Sequence, residues 1–241
     1  MNPKRAVVVA VTMLMLLSCM LPQARAREKR GSGYGYFYVG ASMLDLDKLN
    51  EALGAHNYPE FSNRLVSIGG GGHAFMNRLV LGGQGQALVG KSTDVNIAGT
   101  AYKGTLSAGI GFFDIGFLLT PPRRLKVYPM LGIGGAGLEL AIVEKQPPSF
   151  DQVLEHPNRS TRLSTGMFLL NFALGVDYMV ATRARRACCA GGIVLGVEVG
   201  YTLTPVATGW TADEIEISGG PDAGLNGPYV RFKIGGGGQR R

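Results

Sequence analysis

Histidine, cysteine and tryptophan are scarce in this chain, which holds three, three and one of them in 241 residues. A protein metal centre takes about four ligands. Cys188 and Cys189 are adjacent but have no histidine or carboxylate close by in sequence, so they read as two small turn residues rather than a metal site; a vicinal disulfide is the remaining alternative. After the N-terminus no apolar run reaches the roughly 20 residues a transmembrane helix needs. No Pro/Ser-rich linker divides the chain, which reads as one domain. Charged residues make up only 17%, with a formal excess of seven positive charges. Lys4, Arg5 and Arg25 fall in a leader whose removal leaves an excess of four, and many other cations sit in short turns rather than with aromatics on one face. That distribution argues against a nucleic-acid interface.

Glycine and apolar residues are abundant, with 37 glycines and 46% hydrophobic residues. Lys4 and Arg5 precede the apolar run Ala6 to Leu21, and Ala24-Arg25-Ala26 offers a small-x-small cleavage site, so residues 1–26 read as a secretory signal peptide. Leu16-Leu17-Ser18-Cys19 is also similar to a lipobox, which leaves lipidation at Cys19 as the alternative to cleavage after Ala26. Residues 27–33 form a short N-terminal segment, 34–236 the folded unit and 237–241 a tail.

Within 34–236 eight strand-like segments follow one another: Tyr34 to Met43, Leu65 to Met76, Leu79 to Lys91, Tyr102 to Leu118, Leu125 to Val143, Leu163 to Ala181, Ile193 to Leu203, and Tyr229 to Ile234. Asn77-Arg78 is a two-residue hairpin connection. Pro121 to Arg124 and Thr182 to Ala190 are further turns, whereas the first connection, the insert Glu144 to Arg162 and the last loop, Pro205 to Asn226, are long. Ser92 to Ile97 reads as a modest loop. Connections that alternate between long and short are the rhythm of a transmembrane barrel, with long loops at one mouth and tight turns at the other. The predicted fold class is all-β: an eight-stranded antiparallel up-and-down transmembrane β-barrel with a short helix in the first outer loop.

Side chains alternate between the faces of a strand. Phe168, Leu170, Phe172, Leu174, Val176 and Tyr178 share one face, against Asn171, Ala173, Gly175 and Asp177, and Val230, Phe232 and Ile234 oppose Tyr229, Arg231 and Lys233. Leu79, Leu81, Ala87 and Val89 oppose Gln84 and Gln86. Leu106, Ala108, Ile110 and Phe112 oppose Lys103, Thr105 and Ser107, and Leu138, Leu140 and Ile142 oppose Glu139. Taking each apolar face as lipid-facing, the predicted lumen network is Lys103, Glu139, Asp177, Glu198, Arg231, Lys233, Gln84, Gln86 and His73. The predicted lipid-facing set is Phe168, Leu170, Phe172, Leu174, Val176, Tyr178, Val230, Phe232 and Ile234. Eight strands enclose a space just wide enough for side chains to fill, so the expectation is a plugged, ion-paired lumen.

Gly132-Ile133-Gly134-Gly135-Ala136-Gly137 matches a dinucleotide fingerprint literally, yet it runs on as an alternating strand instead of opening a helix. The expected catalytic, cofactor-binding and metal-binding residues are none. Asp45 to Ala55 reads as a helix capped by Asp45, with Leu46, Leu49 and Leu53 at helical spacing. It either covers its own barrel rim or contacts a partner. The insert with Pro147, Pro148, Phe150, Val153 and Leu154 is a second candidate surface, and Trp210 a candidate interface anchor.

The leader, the glycine-rich alternating strands and the loop rhythm resemble the small outer-membrane β-barrel proteins of Gram-negative bacteria, OmpA-like and OmpW-like in kind. Gly227-Pro228-Tyr229-Val230-Arg231-Phe232 resembles that family's C-terminal assembly signal, although the chain ends in glycines and Gln239-Arg240-Arg241 instead of phenylalanine. The resemblance implies a bacterial outer-membrane location, contact with outer-membrane lipid, and the barrel-insertion machinery as a partner in assembly. It fits a non-enzymatic structural or surface-interaction role. A small-solute or hydrophobic-ligand conduit, a soluble periplasmic ligand-binding barrel and a membrane-embedded lipid-modifying enzyme remain as alternatives.

Overall fold

The structure, a computed structural model, describes residues 31–97, 99–120, 124–145, 151, 160–181, 189–212 and 215–240. The leader with Cys19 and Ala26, most of the insert that follows Lys145, and Cys188 lie outside the described residues.

Strands β1 (Gly31–Met43), β2 (Arg64–Met76), β3 (Leu79–Val89), β5 (Thr100–Phe117), β6 (Leu125–Glu144), β7 (Ser160–Ala181), β8 (Cys189–Ala207) and β11 (Gly227–Arg240) form a closed antiparallel barrel. Each pairs with the next in that order, and β11 returns to β1. Three short strands sit at one end: β4 (Thr93–Ile97) pairs with the start of β5, and β9 (Trp210–Ala212) and β10 (Ile215–Ile217) form a hairpin on β7. A helix, α1 (Asp47–Gly54), lies between β1 and β2. These pieces mark the mouth. The opposite, turn end holds both ends of the barrel chain and the tight turns, in which Asn77 takes a left-handed conformation (φ 58°) that asparagine tolerates better than most residues.

Three expectations on element boundaries need correction. The last strand does not stop at Ile234: Gly235 to Gly238 pair with both β1 and β8, so 237–240 belongs to the sheet and not to a tail. Glycine permits this because Tyr34 and Tyr36 lie where side chains at 237 and 235 would be. The loop Ser92 to Ile97 contains β4, whose Thr-Asp-Val-Asn-Ile alternation suits an edge strand. Asp45 is not the helix cap. Leu46 holds that position with no side-chain cap, while Asp45 Oδ1 accepts the Asp47 N–H at 3.4 Å.

The interior has two hydrophobic clusters. Near the turn end Tyr34, Phe75, Val80, Leu118, Tyr128, Met179 and Val194 pack together. Near the mouth Leu65, Leu88, Leu106, Leu138, Leu140, Met167 and Leu169 meet Leu46, Leu49 and Leu53 of α1, with Phe61, Trp210 and Leu225. Trp210 is therefore an interior residue rather than an interface anchor; it is buried, with its Nε1–H donated to the Pro221 carbonyl at 2.8 Å.

The long strands exchange their apolar face along their length. On β5 Phe113, Ile115 and Phe117 point outward and Asp114 inward, but further towards the mouth Leu106, Ala108, Ile110 and Phe112 point inward and Lys103 outward. On β6 Leu131 and Ile133 are outward and Lys126 inward, whereas beyond Gly135 and Gly137 the leucines Leu138 and Leu140 are inward and Glu139 outward. The backbone parity never changes; only the chemistry on each side does. Towards the turn end these strands are apolar outside and carry their charged side chains inside, next to the aromatic cluster, while the mouth-end segments of β5 to β7 are apolar inside with polar residues outside.

Candidate functional site: the barrel interior

Between the two clusters lies a layer of buried polar side chains. Glu198, at the inward face of β8, receives Arg231 Nη1 at 3.2 Å and Lys233 Nζ at 3.3 Å from the neighbouring strand β11. Lys233 Nζ also reaches Asp177 Oδ1 at 3.0 Å and donates to Tyr128 Oη at 2.9 Å. Asp177 Oδ2 accepts the hydroxyls of Tyr34 and Tyr128. Arg231 Nη1 donates to Gln84 Oε1 at 3.0 Å, and its guanidinium stacks on Tyr229 with its centre 3.7 Å from the ring centroid. Tyr229 Oη lies 2.9 Å from Asn171 Oδ1 and 3.1 Å from Glu198 Oε1, two acceptors that share its one proton. Asp114 lies beside the side-chain amides of Gln84 and Asn171. Charges removed from water must be paired and hydrogen-bonded to be tolerated, and this layer supplies such pairing for Asp177, Glu198, Arg231 and Lys233, whereas neither Asp114 oxygen has a hydrogen-bond partner.

Glycine makes the layer fit. A Cβ at Gly69 would stand 2.7 Å from the Tyr38 ring, at Gly175 2.5 Å from the Tyr128 ring, and at Gly200 2.5 Å from the Tyr229 hydroxyl. A Cβ at Gly40 would stand 2.9 Å from Arg231 Cγ. In a barrel this narrow each large inward side chain lies across a neighbouring strand, and only glycine leaves room for it.

Of the predicted network, Asp177, Glu198, Arg231, Lys233, Gln84, Gln86 and His73 are all buried and inward. Lys103 and Glu139 are not members. Lys103 is exposed on the outer face of β5, and Glu139 pairs outside with Arg162 (Nε to Oε1 3.1 Å, side chains 41% and 66% exposed). The expectation takes Leu106 to Phe112 and Leu138 to Ile142 as outward, which fails because the mouth end of the barrel has an apolar interior. Their places are taken by Asp114 (0% exposed) and Lys126 (1% exposed). Lys126 Nζ donates to Ser32 Oγ at 3.0 Å and sits 4.0 Å from the Phe75 ring centroid. Among the described residues the interior thus buries three acids, Asp114, Asp177 and Glu198, and three bases, Lys126, Arg231 and Lys233. The alternation Phe113-Asp114-Ile115 and the spacing Tyr34-Gly35-Tyr36-Phe37-Tyr38 were the sequence signals for the missing members.

His73 is buried, with Nε2 3.1 Å from Tyr36 Oη and Nδ1 3.2 Å from Tyr128 Oη. Both ring nitrogens are hydrogen-bonded to interior tyrosines. Outward, Phe168, Phe172, Leu174, Val176, Tyr178, Val230, Phe232 and Ile234 are exposed and Leu170 half-buried.

At the mouth, α1 is held by its leucines, by the Asp45 N–H bond to the Asn226 carbonyl (2.9 Å), and by Lys48 Nζ to Asp222 Oδ2 at 2.8 Å. That exposed pair holds the Lys48 ammonium above its ordinary range and the Asp222 carboxyl below its own, in each case through the partner's hydrogen bond and charge. Asn50 is buried and grips the chain beyond the helix through Phe61, donating to its carbonyl (3.0 Å) and accepting its N–H (2.9 Å).

No protein-family model matches the chain, and no curated protein matches it by sequence. Among solved structures it is similar to Ail, the attachment invasion locus protein of Yersinia pestis, in complex with the heparin analogue sucrose octasulfate: TM-score 0.44, 9% identity, covering 87% of this chain and 99% of the other. A second Ail structure matches at TM-score 0.42 and 10% identity over 88% and 99% of the two chains. A major outer membrane protein from Thermus thermophilus matches at 0.38 and 9% over 86% and 98%. These are outer-membrane β-barrel proteins. The likeness is one of architecture, and the barrel assignment for this chain rests on its own closed strand pairing.

Proposed function

We propose that the protein is an outer-membrane β-barrel whose interior is closed and whose role is structural or surface-interacting rather than enzymatic. The observation that carries this is the pairing of opposites at one level of the barrel. Acids and bases are buried together in the interior, while Phe113, Phe117, Leu131, Ile133, Phe172, Leu174, Leu195, Val199 and Phe232 point out, each exposed. A water-soluble protein rarely shows a contiguous apolar surface beyond a few hundred Å², and a ligand-binding barrel in water would bury the apolar side. Outward apolar stretches such as Phe172 to Val180 and Ile193 to Leu203 also match the roughly 9 to 11 residues that a tilted strand needs to cross a bilayer. Beyond that height the outer face of β5 to β7 turns polar and the inner face apolar, the pattern expected of a wall standing in water above the membrane.

Two layers support closure. The ion-paired layer fills the middle of the interior, and the leucine cluster capped by α1 fills the mouth. The surfaces left for a partner are the loops: α1, the β9–β10 hairpin and the cleft of about 310 Å³ between α1 and the last loop, lined by Asp45, Lys48, Thr204, Asp222 and Asn226. In planar bilayers the purified barrel is expected to show no steady conductance. A reproducible open-channel current from the wild-type protein would contradict closure and favour the conduit reading.

A further inference from the structure

The apolar belt is not uniform around the barrel. On β7, β8, β11 and β1 large outward side chains stand side by side across the strands: Val176 beside Val197, Val197 beside Phe232, and Phe232 beside Val39, all exposed. Two residues nearer the turn end a second exposed row repeats this, with Tyr178 beside Leu195 and Leu195 beside Ile234. The rows form two ridges. Between them the outer surface drops to Gly196, which has no side chain, and to Lys233, whose side chain turns inward to Asp177 and Glu198. The result is a groove of about 490 Å³ that runs across the strands in the turn-end half of the belt. Elsewhere on the wall the relief is missing: the paired outward positions Gly70, Gly85, Gly111 and Gly135 of β2, β3, β5 and β6 carry no side chains.

Size and setting select the occupant. Crossing four strands takes about 14 Å at the usual strand spacing of roughly 4.8 Å, and one leaflet of hydrocarbon is about 15 Å deep, half of a core of about 30 Å. The walls are aliphatic and aromatic, so they suit a hydrocarbon chain of that length. Against the smooth glycine wall a chain is touched from one side only. In the groove it meets a ridge on each side and backbone beneath, and dispersion contacts that are weak singly add up over its length.

We propose that this groove seats one acyl chain of a phospholipid from the turn-end leaflet and holds it more tightly than the rest of the lipid around the barrel. The proposal rests on the membrane reading above.

The test places the protein in phosphatidylcholine nanodiscs, releases it into increasing detergent, and counts the phospholipids that stay bound by native mass spectrometry. Wild type is expected to keep one phospholipid after the others have been stripped. Lowering one ridge with Tyr178→Ala/Leu195→Ala/Ile234→Ala should cut that retained species roughly tenfold, as expected when about ten carbon–carbon contacts are lost. The control Phe113→Ala/Ile115→Ala/Phe117→Ala removes as many large outward side chains from β5 and should keep it. An unboiled gel band checks that each variant is folded. Stripping of wild type to no bound lipid, retention untouched by the ridge variant, or equal loss in ridge and control variants overturns the proposal and leaves the membrane reading standing. Failure to enter any bilayer overturns both.

Discussion

At the residue scale the interior is a packing problem solved with glycine and opposite charge. Gly175→Val is expected to drive a side chain into the Tyr128 ring and cost about 1 to 3 kcal/mol, the usual range for overpacking. Gly109→Val, on the outer face with nothing within 4 Å of its Cβ, is expected to be near neutral. Urea unfolding in detergent, read by the fraction migrating as folded, separates the two. Glu198→Gln leaves Arg231 and Lys233 without their shared acid and is expected to cost about 3 to 5 kcal/mol. Glu139→Gln, at an exposed pair, should stay within about 0.5 kcal/mol. The same residues show what the sequence could reveal. Glu198, Arg231 and Lys233 alternate with outward Val197, Val199, Phe232 and Ile234, so parity alone placed them inside. Lys103 and Glu139 have equally clean alternation and lie outside, because alternation tells which residues share a face but not which face meets lipid.

At the scale of elements that ambiguity becomes a boundary. On β5 Phe113 and Ser107 share the outer face, one in the apolar belt and one beyond it. Phe113→Arg is expected to cost about 2 to 4 kcal/mol if near the bilayer midplane, and Ser107→Arg about 0 to 1 kcal/mol. Equal costs, measured by unfolding from lipid vesicles, would place the boundary elsewhere. The eight barrel strands and the helix were legible because period and turn chemistry are local signals. The pairing of Gly235 to Gly238 was not, since glycine carries no pattern and its place is decided by the tyrosines of β1. Helix α1 is held chiefly by burial: Leu49→Ala should cost about 2 to 5 kcal/mol and raise protease cleavage between β1 and β2. Its Lys48–Asp222 tie is pH-dependent in a defined sense. The raised lysine keeps its contribution until pH climbs through a value above the ordinary 10.5, and the lowered aspartate keeps its own until pH falls through a value below the ordinary 3.8. Cleavage in that loop should therefore be flat from about pH 5 to 9.

Taken whole, the molecule is stratified along its axis: an apolar belt around an ion-paired interior, then an apolar mouth around which the outer face of β5 to β7 is polar. Each stratum suits a different medium, which supports the proposed barrel that crosses one membrane and stands above it. The central claim is that the belt faces lipid. It is tested most directly by fractionating cells that express the full chain and running the membrane-extracted protein on a denaturing gel with and without boiling. The account predicts recovery with the outer membrane and a band that shifts on boiling. Release as a soluble protein with the same migration in both lanes would contradict it.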